Sequence, residues 1–229
     1  MSDRSRKRAV SKTRVSVMSQ ADSTRQRIAE CSIQLFSERG FSDVSTTDVA
    51  KAAGVSQSLV LYHFETKENL WRSSMSLLFA RVNSRHPSDV FVYRDLDPLA
   101  RLKVSFRRLV GVSARYPELG RVIMREGAEE SDRLEWLATA FLGEAYREYL
   151  ENFRSSIENG QIKPYPPALL TIVAHSAATM VFNLAPLMKR VFDFALDDED
   201  SWTRHADLVV DVLLNGLLQK PPSQGALND

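Results

Sequence analysis

The sequence predicts an all-α protein: an N-terminal three-helix unit containing a helix-turn-helix, followed by a larger C-terminal helical part. Three observations predict it. Apolar residues recur at the three-to-four spacing of helices along almost the whole chain, and the period-two alternation of strands is scarce. Glycines and prolines fall between the periodic segments. Two short helical segments flank Gly54-Val55-Ser56, which is the spacing of a helix-turn-helix.

Composition narrows the function classes. With 229 residues the chain is long enough for one large domain or two modest ones. Cys31 is the only cysteine, which excludes an internal disulfide framework and a multi-cysteine metal site, and suits a reducing cytosol. No apolar run reaches the roughly 18 residues of a membrane span, and the charged N-terminus leads into no signal-type apolar segment. A cytoplasmic protein with no membrane partner is therefore expected. The net charge of +1 hides an asymmetry. Residues 1–20 carry Arg4, Arg6, Lys7, Arg8, Lys12 and Arg14 against Asp3 alone, whereas residues 21–71 are net negative. This basic arm is either a solvated, disordered tail or an arm that touches a polyanion, nucleic acid before membrane because it lacks an amphipathic pattern.

The elements follow in order. Ser23-x-x-Gln26 has the form of a capping box and predicts the start of a first helix, whose face is Ile28, Ser32, Leu35 and Phe36, ending at Arg39-Gly40. Ser45-Thr46-Thr47-Asp48 opens a second helix through Val49, Ala50 and Ala53, and Gly54 stops it. Ser56 caps a third, with Ser56, Val60 and Phe64 facing inward. Thr66 caps a fourth that runs through Leu70, Trp71, Met75, Leu78, Phe79 and Val82. The segment from His86-Pro87 to Asp97-Pro98 reads as a connection. Long helical patterns then cover 98–115, 117–126 and 131–159. Gly160 and Pro164-Tyr-Pro-Pro167 separate these from helices near 166–193 and 201–219. Asp197-Asp-Glu-Asp200 reads as a solvated loop whose acids favour the next helix N-terminus. The tail 221–229 is expected to be flexible.

The third helix carries the functional signal. Leu59-Val60-Leu61 cannot all point inward, because successive residues lie about 100° apart around a helix. Opposite the inward face stand Gln57, Ser58, Leu61 and Tyr62, with Leu59 and His63 on the flank. Solvent gives such a face no reason to exist. A DNA major groove does: Gln pairs bidentately with adenine, Leu meets a thymine methyl, and Tyr or His donates to phosphate.

The runs Leu35-Phe-Ser-Glu-Arg-Gly-Phe41, Ser45-Thr-Thr-Asp-Val-Ala-Lys-Ala-Ala-Gly-Val-Ser56 and Leu61-Tyr-His-Phe64-Glu-Thr-Lys-Glu-Asn-Leu70 resemble the DNA-binding domain of the TetR/AcrR family of bacterial repressors. The resemblance covers about residues 22–71. It implies that Thr46 and Thr47 approach a phosphate and a base, that Gln57 and Ser58 reach base edges, that Tyr62 and His63 hold the backbone, and that Lys67 clamps a further phosphate. One departure stands out. Many members carry Tyr at the position of Leu61, so the reading there becomes apolar and Tyr62 is the candidate for the missing phosphate contact.

The resemblance further implies that residues 72–220 form a variable domain that dimerises and encloses a small-molecule pocket. The last two long helices would form a four-helix bundle across a two-fold axis; the second shows Trp202, Leu208, Val209, Val212, Leu213, Gly216 and Leu217. The expected protein is a homodimer that binds a near-palindromic operator in double-stranded DNA, most simply as a repressor released by a small-molecule effector. The fourth helix would transmit the change. Effector residues are less determined. His175, Thr179 and Asn183 recur every four residues on an otherwise apolar helix, lining a pocket, bonding across the dimer seam, or lying partly exposed. Met124, Arg125 and Trp136 are candidates for an apolar wall and a cation facing an acidic ligand, although Arg125 reads equally as a surface ion-pair residue.

Two other classes compete. An all-α enzyme would show a nucleophile beside its base or clustered metal ligands, but His63, His86, His175 and His205 are scattered and neither an HExxH nor a P-loop pattern occurs. No catalytic set, metal site or cofactor is therefore expected. A helical adaptor with vestigial DNA binding would differ from a repressor in binding genomic DNA only weakly and only at low salt.

Overall fold

The computed structural model describes residues 20–85 and 95–218. The basic arm, the connection from His86 onward and the C-terminal tail lie outside the described residues. Eleven α-helices occur among those described: α1 (Gln20–Arg39), α2 (Thr46–Ala53), α3 (Gln57–Phe64), α4 (Lys67–Arg85), α5 (Pro98–Arg115), α6 (Pro117–Glu126), α7 (Asp132–Leu137), α8 (Gly143–Glu158), α9 (Pro167–Asn183), α10 (Ala185–Phe192) and α11 (Glu199–Leu217). A five-residue π-helical turn, Ala138–Leu142, joins α7 to α8. The one β-like feature described is an isolated antiparallel bridge between Ile162 and Leu218.

Two cores organise these helices. The first gathers Ile28, Phe36, Val44, Val49, Val60, Phe64, Leu70 and Trp71 from α1–α4, and continues into Val122 of α6 and Leu137 of α7. The second joins α5, α8, α9 and α11 through Leu102, Phe106, Phe153, Ala178, Val209 and Leu214. Between them Ile33, Leu78, Val82, Val112 and Tyr116 pack α1 and α4 against α5. Helix α4 passes residue 71 without a break, so it belongs to both halves. Its Phe79 ring lies flat on Phe141 of the π turn, 4.2 Å between centroids and 3° from parallel. Its Trp71 meets Trp136 of α7 edge-on at 5.6 Å.

Most boundaries follow from local chemistry. Asp97 accepts from the amides of Leu99 and Ala100 and caps α5, and Pro98 and Pro117 open α5 and α6 at the position where no donor is lost. Four expectations need correction. Helix α1 already includes Gln20, so Ser23 is inside it: Ala21 and Asp22 are helical and leave the Ser23-x-x-Gln26 pattern without an end to cap. Ser56 is exposed as the cap of α3, and only Val60 and Phe64 of the expected inward trio are buried. The single helix expected over 131–159 is interrupted. The Gly143 amide bonds back five residues to the Ala138 carbonyl, and a Cβ at residue 143 would sit 2.8 Å from that oxygen, so glycine permits the π turn. The helix expected over 166–193 bends by 70° between α9 and α10, because Pro186 has no amide to donate to Phe182. Among the described residues no single helix is long and apolar enough to cross a membrane.

Candidate nucleic-acid interface

The turn between α2 and α3 is built from caps. At the start of α2 the Ser45 hydroxyl accepts from the Asp48 amide at 3.1 Å, while the Asp48 carboxylate accepts from the Ser45 amide at 2.9 Å. The Ser45 hydroxyl, its amide and nearby Arg39 and Lys51 hold the Asp48 carboxyl below the usual carboxylate range, against a small opposing effect of desolvation. Helix α2 closes at Gly54, whose φ of +64° is a left-handed conformation that a side chain would strain. The Val55 amide then reaches the Ala50 carbonyl at 3.0 Å, and Ser56 caps α3 by accepting from Leu59 at 3.2 Å. Every backbone device the turn needs is thus supplied within twelve residues.

Helix α3 is fixed by Val60 and Phe64, 1% and 3% exposed. Its other face is turned outward: Leu61 is 41% and Tyr62 79% exposed, and Gln57, Ser58 and Thr47 are exposed beside them. Gln57 donates from Nε2 to the Thr46 hydroxyl at 3.0 Å, tying the opening of α3 to the opening of α2. Thr46, Thr47, Gln57 and Ser58 therefore form one polar edge, and Leu61 and Tyr62 extend it. The His63 ring is half-buried between Tyr62 and Phe64, at 5.3 and 6.3 Å. Arg25 of α1 lies 5.0 Å over the Phe64 ring.

Lys67 is placed differently from its neighbours. Its ammonium donates to the Ser42 carbonyl at 3.3 Å and lies 4.3 Å over the Phe41 ring. Burial and the neighbouring Arg133 charge push its pKa down, with Asp43 opposing. An ammonium has three hydrogens, so contact with a phosphate would share this site rather than use a free side chain.

The six candidate effector residues divide into separate places. Met124, Arg125 and Asn183 line a cleft of about 580 Å³ between the α1–α2 loop, α6 and the end of α9. Arg125 donates to the Glu38 carbonyl at 2.7 Å, and the Asn183 amide contacts the Met124 sulfur at 3.0 Å. Asn183 comes this close because Gly120 faces it; a Cβ there would lie 2.6 Å from its Oδ1. Trp136 belongs to the aromatic stack of Trp71 and Phe141 and lies under Arg72. His175 meets the Tyr146 hydroxyl at 3.4 Å, and burial pushes the imidazole pKa down and the phenol up. Thr179 is buried in the second half. Sequence reasoning did not single out Tyr146, Phe141, or the α8 residues Asn152 and Ser156, whose Nδ2 and Oγ are buried without a hydrogen-bond partner among the described residues. The four-residue spacing of the last two was visible, but nothing in it distinguishes an interior polar pair from a solvated one.

Comparison with known proteins matches this geometry. A family profile described as "Bacterial regulatory proteins, tetR family" matches residues 28–73, and one described as "Tetracyclin repressor-like, C-terminal domain" matches residues 95–223. The HTH-type transcriptional regulator RutR of Escherichia coli (strain K12) is 24% identical over 197 residues, 84% of this chain and 90% of RutR. The regulator AcrR of Shigella flexneri is 40% identical over 52 residues, 23% of this chain and 24% of AcrR. Among solved structures, the hemolysin II transcriptional regulator HlyIIR superposes with a TM-score of 0.66 at 22% identity, over 87% of this chain and 99% of HlyIIR. AibR, solved in complex with isovaleryl coenzyme A and operator DNA, superposes with a TM-score of 0.67 at 19% identity, over 83% and 98%. Likeness at these identities speaks for the fold, and the two profiles together reach from the helix-turn-helix to the last helix. The chain belongs to the TetR family of bacterial transcriptional regulators.

Proposed function

We propose that the protein is a cytoplasmic homodimeric repressor that binds a near-palindromic operator through α2 and α3 and is released by a small molecule held in its larger half. The observation that carries the reading is the outward face of α3. A leucine and a tyrosine stand exposed beside Gln57 and Ser58 on a helix whose opposite side is locked into the core. In the proposed complex Gln57, Ser58 and Leu61 read base edges. Thr46, Thr47, Tyr62, His63 and Lys67 fix the backbone. Residues 21–71 act as the reading unit and 72–220 as the effector and dimer unit, with residues 1–20 free to add phosphate contacts.

Dimerisation is supported by the outer faces of α9 and α11. Leu169, Ile172, Val173, Leu208 and Val212 are each more than half exposed, an apolar surface a lone chain leaves in water. A two-fold copy would cover it and set two α3 helices one groove apart. Effector control is supported by the continuity of α4 with the Trp136–Phe141 stack, which joins the reading unit to the π turn of the larger half. AibR, bound to both an acyl-coenzyme A and operator DNA, offers the precedent for a small-molecule ligand. Selection of bound fragments from the parent genome, followed by fluorescence anisotropy at rising salt, tests the reading. A repressor finds a few symmetric sites that survive physiological salt; uniform, salt-abolished binding would exclude it.

A further inference from the structure

The cleft at the junction of the two halves is more than a gap left by packing. Its volume of about 580 Å³ lies within the range of small-molecule sites. Four arginines line it: Arg39 at the end of α1, Arg121 and Arg125 on α6, and Arg133 on α7. Arg133 is neutralised by Glu126 at 2.9 Å and stands over the Phe41 ring at 4.3 Å. Arg125 spends one hydrogen on the Glu38 carbonyl. Arg39 and Arg121 make no hydrogen bond or ion pair among the described residues. Of the acids in the wall, Glu126 is taken by Arg133 and Asp43 lies in the field of the Lys67 ammonium. Arg39, Arg121 and Arg125 thus face two carboxylates that make no ion pair among the described residues, Asp43 and Glu129. Met124 and Leu184 supply exposed apolar surface beside them.

The geometry points to this cleft as a binding site for an organic carboxylate with a compact apolar body, clamped between Arg39 and Arg121. The assignment rests on the ligand-responsive reading and gives it a place and a chemistry. Guanidinium forks match carboxylate oxygens in pairs, and the apolar surface accepts the rest of the molecule. The position provides the coupling. Arg39 ends α1 immediately before the Gly40–Asp43 loop that leads into α2, whereas Arg121 and Arg125 belong to the larger half. An anion held by both sides favours one spacing across the seam and disfavours any other, and its effect on DNA affinity equals its preference between those spacings.

Octanoate serves as the probe, and octanamide as its uncharged counterpart. Titration calorimetry on the full-length chain should show saturable octanoate binding, at least tenfold weaker binding of octanamide, and at least a tenfold loss in Arg39→Ala/Arg121→Ala. Because neither side chain holds a hydrogen bond among the described residues, the variant should melt with the wild type; Arg121→Gln alone provides a second, milder variant with a smaller loss in the same direction. Equal octanoate affinity in wild type and variants, equal affinity for the two probes, or no heat of binding would each overturn the assignment. Operator anisotropy on the same proteins separates the two readings. Retained DNA binding with lost octanoate response in the variants supports the cleft, whereas absent operator binding in the wild type defeats the DNA reading and leaves calorimetry to decide the cleft.

Discussion

Leu61 and Tyr62 are neighbours with the same outward aspect and different chemistry, and in the proposed complex the operator preference turns on that pair. Val60 and Phe64 hold the helix, so the outward residues are exchangeable without cost to the core. Leu61→Tyr should leave stability within about 0.5 kcal/mol of wild type in urea denaturation, as exposed substitutions do. In selection from a random-sequence pool the same variant should prefer different bases, because a methyl-seeking contact gives way to a hydrogen-bonding one. An unchanged preference would mean that residue 61 does not reach the bases. Tyr62 carries the larger exposure, and Gln57 is already oriented by Thr46. The apolar run Leu59-Val60-Leu61 thus resolves into one core residue, one partly covered flank and one exposed residue, which the proposed complex gives to DNA.

At the scale of elements, the short helices were legible in the sequence because their ends are written in side chains. Ser45 with Asp48, Gly54, Ser56 and Asp97 with Pro98 are local devices that work wherever they occur; α2 begins and ends, and α3 and α5 begin, where they indicate. The π turn and the α9–α10 bend were not legible. Gly143 and Pro186 sit inside continuous apolar periodicity, and their effect depends on one backbone oxygen each. The candidate effector residues divided for a related reason: His175, Thr179 and Asn183 do share a helix stripe, but α8 meets its first member and α6 its last, which only the packing reveals.

The same packing makes a pH dependence. Burial pushes the His175 imidazole below its ordinary value of 6.5, and burial does the same to His205 against the opposing pull of the Ala178 and Ala177 carbonyls. Between those depressed values and 6.5 the unfolded chain binds more protons than the folded one, so stability rises with pH across that window. Acidification from pH 7.5 to 5.5 should therefore lower the urea midpoint, and His175→Gln/His205→Gln should reduce the drop. Glu126 works in the opposite sense, since burial raises its carboxyl and favours the folded form on acidification, with Arg133 opposing. The difference between wild type and double variant isolates the histidines. A drop of equal size in both would remove them as its cause.

For the whole molecule, the exposed apolar faces of α9 and α11 and the outward face of α3 have complementary roles in the proposed assembly: one would seat a second copy and the other would read DNA. Charges at Leu208 and Val212 should separate the copies while sparing the core residues Val209, Val210 and Leu214 on the same helix. Leu208→Glu/Val212→Glu should sediment as a monomer with an unchanged helical spectrum. Its operator affinity should fall by two orders of magnitude or more, because each half-site loses the effective concentration supplied by the other. A variant that remains dimeric would place the two-fold interface elsewhere.

The most direct measurement is the affinity of the full-length protein for its own selected genomic fragment, compared with a scrambled fragment of equal length at about 150 mM salt. Reading of sequence by the α3 face predicts at least a thousandfold preference for the selected fragment, within the range of specific regulators. It also predicts two symmetric half-sites about one helical turn apart and loss of the preference in Gln57→Ala/Leu61→Ala. Equal affinity for both fragments, or a preference unaffected by that double substitution, would contradict it.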